Sequence, residues 1–194
     1  YYFPDVAGVG VSYNTFVWSR DMDEKAGMLR LVVGLGTRAV DRVEGDYACL
    51  VALDHPLRRA HRAGDDARRF SQHDVDVLDV EENKLHSVPV ARLAQEQADV
   101  PFQWIGVMDQ EGTRQLGQQG LRYDRWIVTF EPLLLRTGFA ALMQRLLKTL
   151  ERAYDYPVDV EFTVSLLPDG TPRINVVQCR PLQTMGSSGR VVIP

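Results

Sequence analysis

Val158-Asp159-Val160-Glu161-Phe162-Thr163-Val164-Ser165-Leu166 alternates apolar and polar side chains without a break. Such a period of two describes a strand with one buried face and one polar face. Pro168-Asp169-Gly170-Thr171 then carries turn chemistry, and a second strand runs from about Arg173 to Arg180. With Asp169 and Gly170 as the two turn residues, the hairpin register sets Glu161 opposite Gln178 and Asp159 opposite Arg180. Steps of two keep a strand's face, so all four side chains share one side of the hairpin.

That pairing has chemical content. Directly opposed Cβ atoms lie about 4.5–5.5 Å apart, and two oxygen-bearing side chains at that spacing can share a hard cation. Mg²⁺ is usually held by one or two carboxylates together with substrate phosphates, so Glu161 and the Gln178 amide oxygen suffice as protein ligands. Arg180, one step along, is placed to grip phosphate as a bidentate donor. The alternative is an ordinary surface cross-strand pair. Pro168 and Pro172 flank the turn, and a slip of one residue would break the alignment.

Outward from the hairpin, the clearest helix is Thr137 to Tyr154, where Phe139, Leu142, Met143, Leu146, Leu147 and Leu150 recur at three- and four-residue steps. Strands are expected over 6–13, 29–33 and 47–53, and over 123–130. Val75 to Val80 and Lys84 to Val90 form a second hairpin signal around Glu81-Glu82-Asn83. A short helix is expected over 91–98. Asp109 to Gly120, rich in Gln and Gly, reads as a mobile loop. Arg58 to Arg69 holds five arginines against two aspartates and reads as a solvated loop.

Composition limits the function. The chain has 194 residues, a formal net charge of −4 and 45% hydrophobic side chains, which is a globular and mildly acidic balance. A dedicated nucleic-acid binder would normally be basic, and the arginine stretch has no aromatic platform beside it. No apolar run reaches the roughly 18 residues of a membrane span. Two cysteines, Cys49 and Cys179, point to a reducing, cytoplasmic setting rather than a disulfide scaffold. Only three of the 22 basic residues are lysines, Lys25, Lys84 and Lys148, and the helix pattern puts Lys148 on the exposed face.

Asp159-Val160-Glu161-Phe162 followed by Gln178-Cys179-Arg180-Pro181 resembles the D-I-E-W … Q-A-R-P signature of the phosphoenolpyruvate synthase / pyruvate phosphate dikinase family. Ala7-Gly8-Val9-Gly10-Val11-Ser12 is similar to that family's A-G-V-x-F-T strand, and Leu31 to Gly36 to its strand leading into G-L-G-E. The resemblance covers about 6–184. It implies an α+β fold, the second subdomain of an ATP-grasp nucleotide-binding domain, mainly antiparallel sheet with packed helices. It also implies that Glu161 and Gln178 coordinate the Mg²⁺ on ATP and that Arg180 contacts the phosphates as the catalytic cation. Asp159 then supports the site or simply pairs with Arg180. The implied reaction passes phosphate from ATP to a carrier histidine and then to a small acid such as pyruvate.

The chain departs from the family pattern in three ways. Thr37 replaces the Glu of G-L-G-E, and Arg38 and Arg42 follow it, either as an altered anion contact or as salt-bridging residues. The hairpin between Glu161 and Gln178 is a few residues longer than is typical of the family. No lysine sits in a phosphate-gripping context and no T-S-x-x-G-x-x-x-H element is present, since His55, His61, His73 and His86 lie in unrelated settings. Together with the missing initiator Met, this suggests residues 1–184 as a partial ATP-grasp domain and 185–194 as a linker. The expected partners are an N-terminal ATP-grasp subdomain and a downstream phosphohistidine domain, with no membrane or nucleic acid. On its own, such a half-site would be inactive and bind ATP weakly. Two other readings stay open: a related phosphotransferase with a different acceptor, and a degenerate nucleotide-sensing module.

Overall fold

The computed structural model describes every residue except 18, 42, 59–64, 97–98, 122–123 and 184–194. Arg42, His61 and the linker expected over 185–194 therefore lie outside the described residues. The strands are β1 (Val6–Val11), β2 (Met28–Val32), β3 (Cys49–Ala52), β4 (Asp74–Asp79), β5 (Lys84–Pro89), β6 (Gly106–Met108), β7 (Trp126–Val128), β8 (Val158–Leu166) and β9 (Pro172–Pro181). The helices are α1 (Thr37–Val40), α2 (Asp65–Arg69), α3 (Val90–Glu96), α4 (Phe102–Ile105), α5 (Gln110–Gln118), α6 (Glu131–Arg136) and α7 (Phe139–Tyr154). The fold is α+β, as the resemblance implies.

Its frame is one five-stranded antiparallel sheet in the order β3-β2-β1-β8-β9. Chain ends meet at its centre, because β1 pairs with β8. One face is closed by α7, whose Phe139, Met143 and Leu147 are fully buried together with Leu29, Val160 and Phe162. Each such side chain contributes about 1.5–3 kcal/mol of burial. The strand glycines permit the approach: a Cβ on Gly10 would stand 3.3 Å from Leu147 Cδ2. The other face stays open towards one end. There α1 packs Ala39 on Ala7 and Val32.

The two-stranded sheet β4-β5 braces α1. Gly34, at φ +88°, lets the chain pass so close to β4 that any Cβ would lie 2.3 Å from Val75 Cγ1. Leu35 N donates to Asp76 O across that contact at 2.9 Å. The G-L-G element thus serves first as the corner joining the main sheet to the β4–β5 hairpin.

Two expectations need correction. The segment 109–120 holds the helix α5 (Gln110–Gln118) and is not a mobile loop. Asp109 caps it, accepting from Gly112 N at 3.0 Å, and its carboxylate is buried against Arg68 at 2.7 Å. Gln is a good helix former, and a tertiary ion pair fixed the cap that local composition hid. Lys148 is also not simply on an exposed helix face. It is one-third exposed and donates to Ser12 O at 3.1 Å, tying α7 to the end of β1. In the arginine stretch, 65–69 is helical. Among the described residues no helix is long and apolar enough to cross a membrane.

Candidate functional site

The open face of the sheet is built from two cross-strand rows. Leu50, Arg30, Val9, Glu161 and Gln178 form the first, and Ala52, Met28, Val11, Asp159 and Arg180 the second. Both expected oppositions, Glu161 with Gln178 and Asp159 with Arg180, are present.

They arise differently from the expectation. The last pair before the turn is Leu166 with Pro172, so the loop spans 167–171 rather than two residues. Gly170 N donates to Leu167 O at 2.8 Å, and Leu167 N to Thr171 O at 3.0 Å. Near the turn this odd-length loop offsets the register by one. Phe162 faces Val176, yet the next residue, Glu161, faces Gln178. Val177 is the extra residue of a β-bulge. Without that bulge Gln178 and Arg180 would fall opposite Val160 and Val158 and turn towards the core. The bulge places both on the same face as Glu161.

Glu161 is half-buried, and neither it nor Gln178 makes a side-chain hydrogen bond or ion pair with any described residue. Asp159 is paired. Arg180 donates to its Oδ2 from Nε at 3.2 Å and from a terminal nitrogen at 3.0 Å. Asp159 Oδ1 is buried with no donor among the described residues. An orphaned buried acceptor costs free energy unless water or a cation meets it. A carboxylate, an amide oxygen and this carboxylate oxygen form an all-oxygen donor set, the kind a hard divalent ion takes. The residues therefore fit Mg²⁺.

Beside the hairpin lies a pocket of about 530 Å³, floored by Val9, Val11, Met28, Arg30 and Leu50, with Asp159 on one side. Phe16 and Tyr47 stand at its mouth, 50% and 40% exposed. No motif in the sequence singled out Arg30, whose place in Glu161's row depends on the pairing of β2 with β1. Only the alternation of 29–33 could have flagged it.

Arg38 lines the same pocket but is engaged in a local cluster. It bonds Asp46 and Ser87, and its Nε lies 3.0 Å from Asp76 Oδ1. Thr37 Oγ1 donates to Asp76 Oδ2 at 2.6 Å. Burial pushes the Asp76 carboxyl up, but hydrogen bonds from Thr37, Arg38 and Ser87 with the Arg38 charge outweigh it and hold it below the usual carboxylate range. Where the family pattern has a Glu, this chain holds a carboxylate from the neighbouring hairpin on the hydroxyl of Thr37.

The described histidines stay away from these rows. His55 lies beside Asp54, His73 beside Arg69 O, and His86 beside Glu82 at 3.2 Å. Asp79, Glu82 and His86 do bring ligand atoms within 4.8 Å of one another. Asp79 there accepts from the Glu81 and Glu82 amides and caps the β4–β5 turn.

The family model of the pyruvate phosphate dikinase AMP/ATP-binding domain matches residues 2–193. A comparison with curated proteins found no match. The match takes in both rows, the pocket and the bulged hairpin, and the chain belongs to the pyruvate phosphate dikinase AMP/ATP-binding domain family.

Proposed function

We propose that this chain binds ATP with Mg²⁺ as half of a nucleotide site and that the site serves phosphoryl transfer. The observation that carries the proposal is the bulge that sets Glu161 opposite Gln178, half-buried and without a counter-charge. Glu161 and Gln178 would hold the metal, with Asp159 Oδ1 beside them. Bound there, the ion neutralises the charge of the phosphates. Arg180, oriented by Asp159 and about half exposed, offers its remaining N–H groups to the phosphates. Arg38 lines the pocket wall, its charge balanced by Asp46 and Asp76.

In the larger protein that this half-site implies, phosphate passes from ATP to a carrier histidine and on to an acceptor such as pyruvate or another small molecule. The complementary ATP-grasp subdomain and the phosphohistidine domain are the partners, in the reducing cytoplasm that two cysteines outside any disulfide suit. None of Lys25, Lys84 and Lys148 lines the pocket, so a phosphate-gripping lysine is expected from that complementary half. Thr37 favours a second reading, in which nucleotide is sensed and not consumed.

Titration of the isotope-labelled chain with ATP, with and without Mg²⁺, tests the binding by NMR. Metal-dependent shifts confined to β8, β9 and the pocket floor are expected, at an affinity weaker than micromolar. Micromolar affinity would contradict the half-site, and no metal dependence would remove Glu161 and Gln178 from it. In the larger protein, Glu161→Ala or Gln178→Ala should abolish histidine phosphorylation. Nucleotide binding by that protein without any phosphohistidine would select the sensing alternative.

A further inference from the structure

Val158 begins β8 beside the end of β1, one residue before Asp159. Ser12 N donates to Val158 O at 3.0 Å. In a regular antiparallel pair the return bond would run from Val158 N to Ser12 O. Here Val158 N donates instead to Ser12 Oγ at 2.9 Å, and Ser12 O accepts from Lys148 Nζ of α7 at 3.1 Å. The serine hydroxyl replaces the carbonyl in the ladder, and the carbonyl turns to the helix. Ser12 is fully buried, so each of its polar groups needs a partner, and each has one. Glu151 holds the lysine from the same helix, its carboxylate 2.5 Å from Nζ.

Packing does not require a lysine at this position. α7 already meets the sheet through Phe139, Met143 and Leu147, and a cation two-thirds withdrawn from water carries a desolvation cost. What Lys148 holds is the point where β1 leaves the sheet. On one side of it Val11 pairs with Asp159, and Asp159 with Arg180. On the other, two residues past Asn14's neighbour Tyr13, Thr15 reaches the pocket wall. Resting on the nucleotide reading above, we propose that Lys148 is a positioning residue. Through Ser12 it fixes the start of β8 and so keeps the Asp159–Arg180 pair in place for the metal and the phosphates. Lys148 lies outside the pocket lining and touches no ligand itself.

The test compares the wild-type chain with Lys148→Met, which keeps the length and removes the donor, and with Lys148→Arg, which keeps a donor. NMR reads the affinity for MgATP and, without ligand, the Arg180 Nε–H resonance, which reports the bond to Asp159. Lys148→Met should bind MgATP about fivefold more weakly, move the Arg180 resonance and leave the circular dichroism unchanged. Lys148→Arg should restore both signals. Wild-type affinity in Lys148→Met, with only a lowered urea midpoint, overturns the proposal and makes the bond purely structural. Weaker binding with an unmoved Arg180 resonance overturns it as well, because loss of one positive charge would do that by itself. If the wild type shows no metal-dependent shifts with ATP, the nucleotide reading fails, and the Arg180 resonance alone decides whether Lys148 sets Asp159. Should Lys148→Met not fold, Lys148→Gln, neutral and shorter, takes its place with the same outcomes.

Discussion

Two hairpins of this molecule look alike in sequence and behave differently in the fold. β4–β5 runs in unbroken register from Asp74 opposite Pro89 to Asp79 opposite Lys84. β8–β9 shifts once, at Val177. In the regular hairpin the inward carboxylate, Asp76, is met by Thr37 and Arg38. In the bulged one, Glu161 and Gln178 are met by no described residue. Charge that is already neutralised holds a fold together. Charge left half-buried and unmet is available to a ligand.

The turns differ too, and the largest expected effect lies there. Asn83 closes β4–β5 at φ +54°, whereas Gly170 at φ +83° presses on the Trp104 indole, where an added Cβ would come within 2.4 Å. Gly170→Ala should therefore cost about 3 kcal/mol, from left-handed strain and overpacking together, read as a lowered urea midpoint. Near-wild-type stability would mean that the β8–β9 tip is not anchored on Trp104.

Asp76→Asn comes next, at about 2 kcal/mol, the scale of hydrogen bonds to a charged group. Asp76 titrates lower folded than unfolded, so its stabilisation is present above its ordinary value of 3.8 and is lost as pH falls through the lower folded one. The gap between wild type and Asp76→Asn in urea should be full at pH 7 and shrink in acid below 3.8. A gap independent of pH would mean that Asp76 acts by packing and not by charge.

Deleting Val177 should cost less than about 1 kcal/mol, because closing the bulge restores a regular ladder while Glu161 keeps facing Gln178. Cross-strand nuclear Overhauser contacts between those two residues would show it. Their loss would mean that the bulge, and not the register it restores, shapes the site. The smallest stability change is expected for Glu161→Gln, within about 0.5 kcal/mol, although it should remove the Mg²⁺-dependent shifts. A stability loss as large as that of Asp76→Asn would erase the contrast between the hairpins.

Much of this was legible in the residues. A period-two run marked β8, alternation with acids marked β4, β-branched and apolar runs marked β1 and β2, and three- and four-residue recurrence marked α7, because burial of a face leaves those patterns in the chain. The helix over 110–118 was hidden, since its cap depends on Asp109 meeting Arg68, 41 residues away. The opposition of Glu161 and Gln178 was foreseen from a two-residue turn that the chain does not make. The loop and the bulge each shift the register by one, and the two shifts cancel.

The sequence by itself determined the strand faces, the long helix and the family signature, all properties of local period and residue type. Tertiary structure decided what stands beside them. It set Arg30 in the row of Glu161, gave Thr37 a carboxylate from another hairpin, and locked Arg38 into an ion cluster. Those outcomes depend on which strands become neighbours, and that is fixed by packing between segments far apart in the chain, which no local pattern encodes.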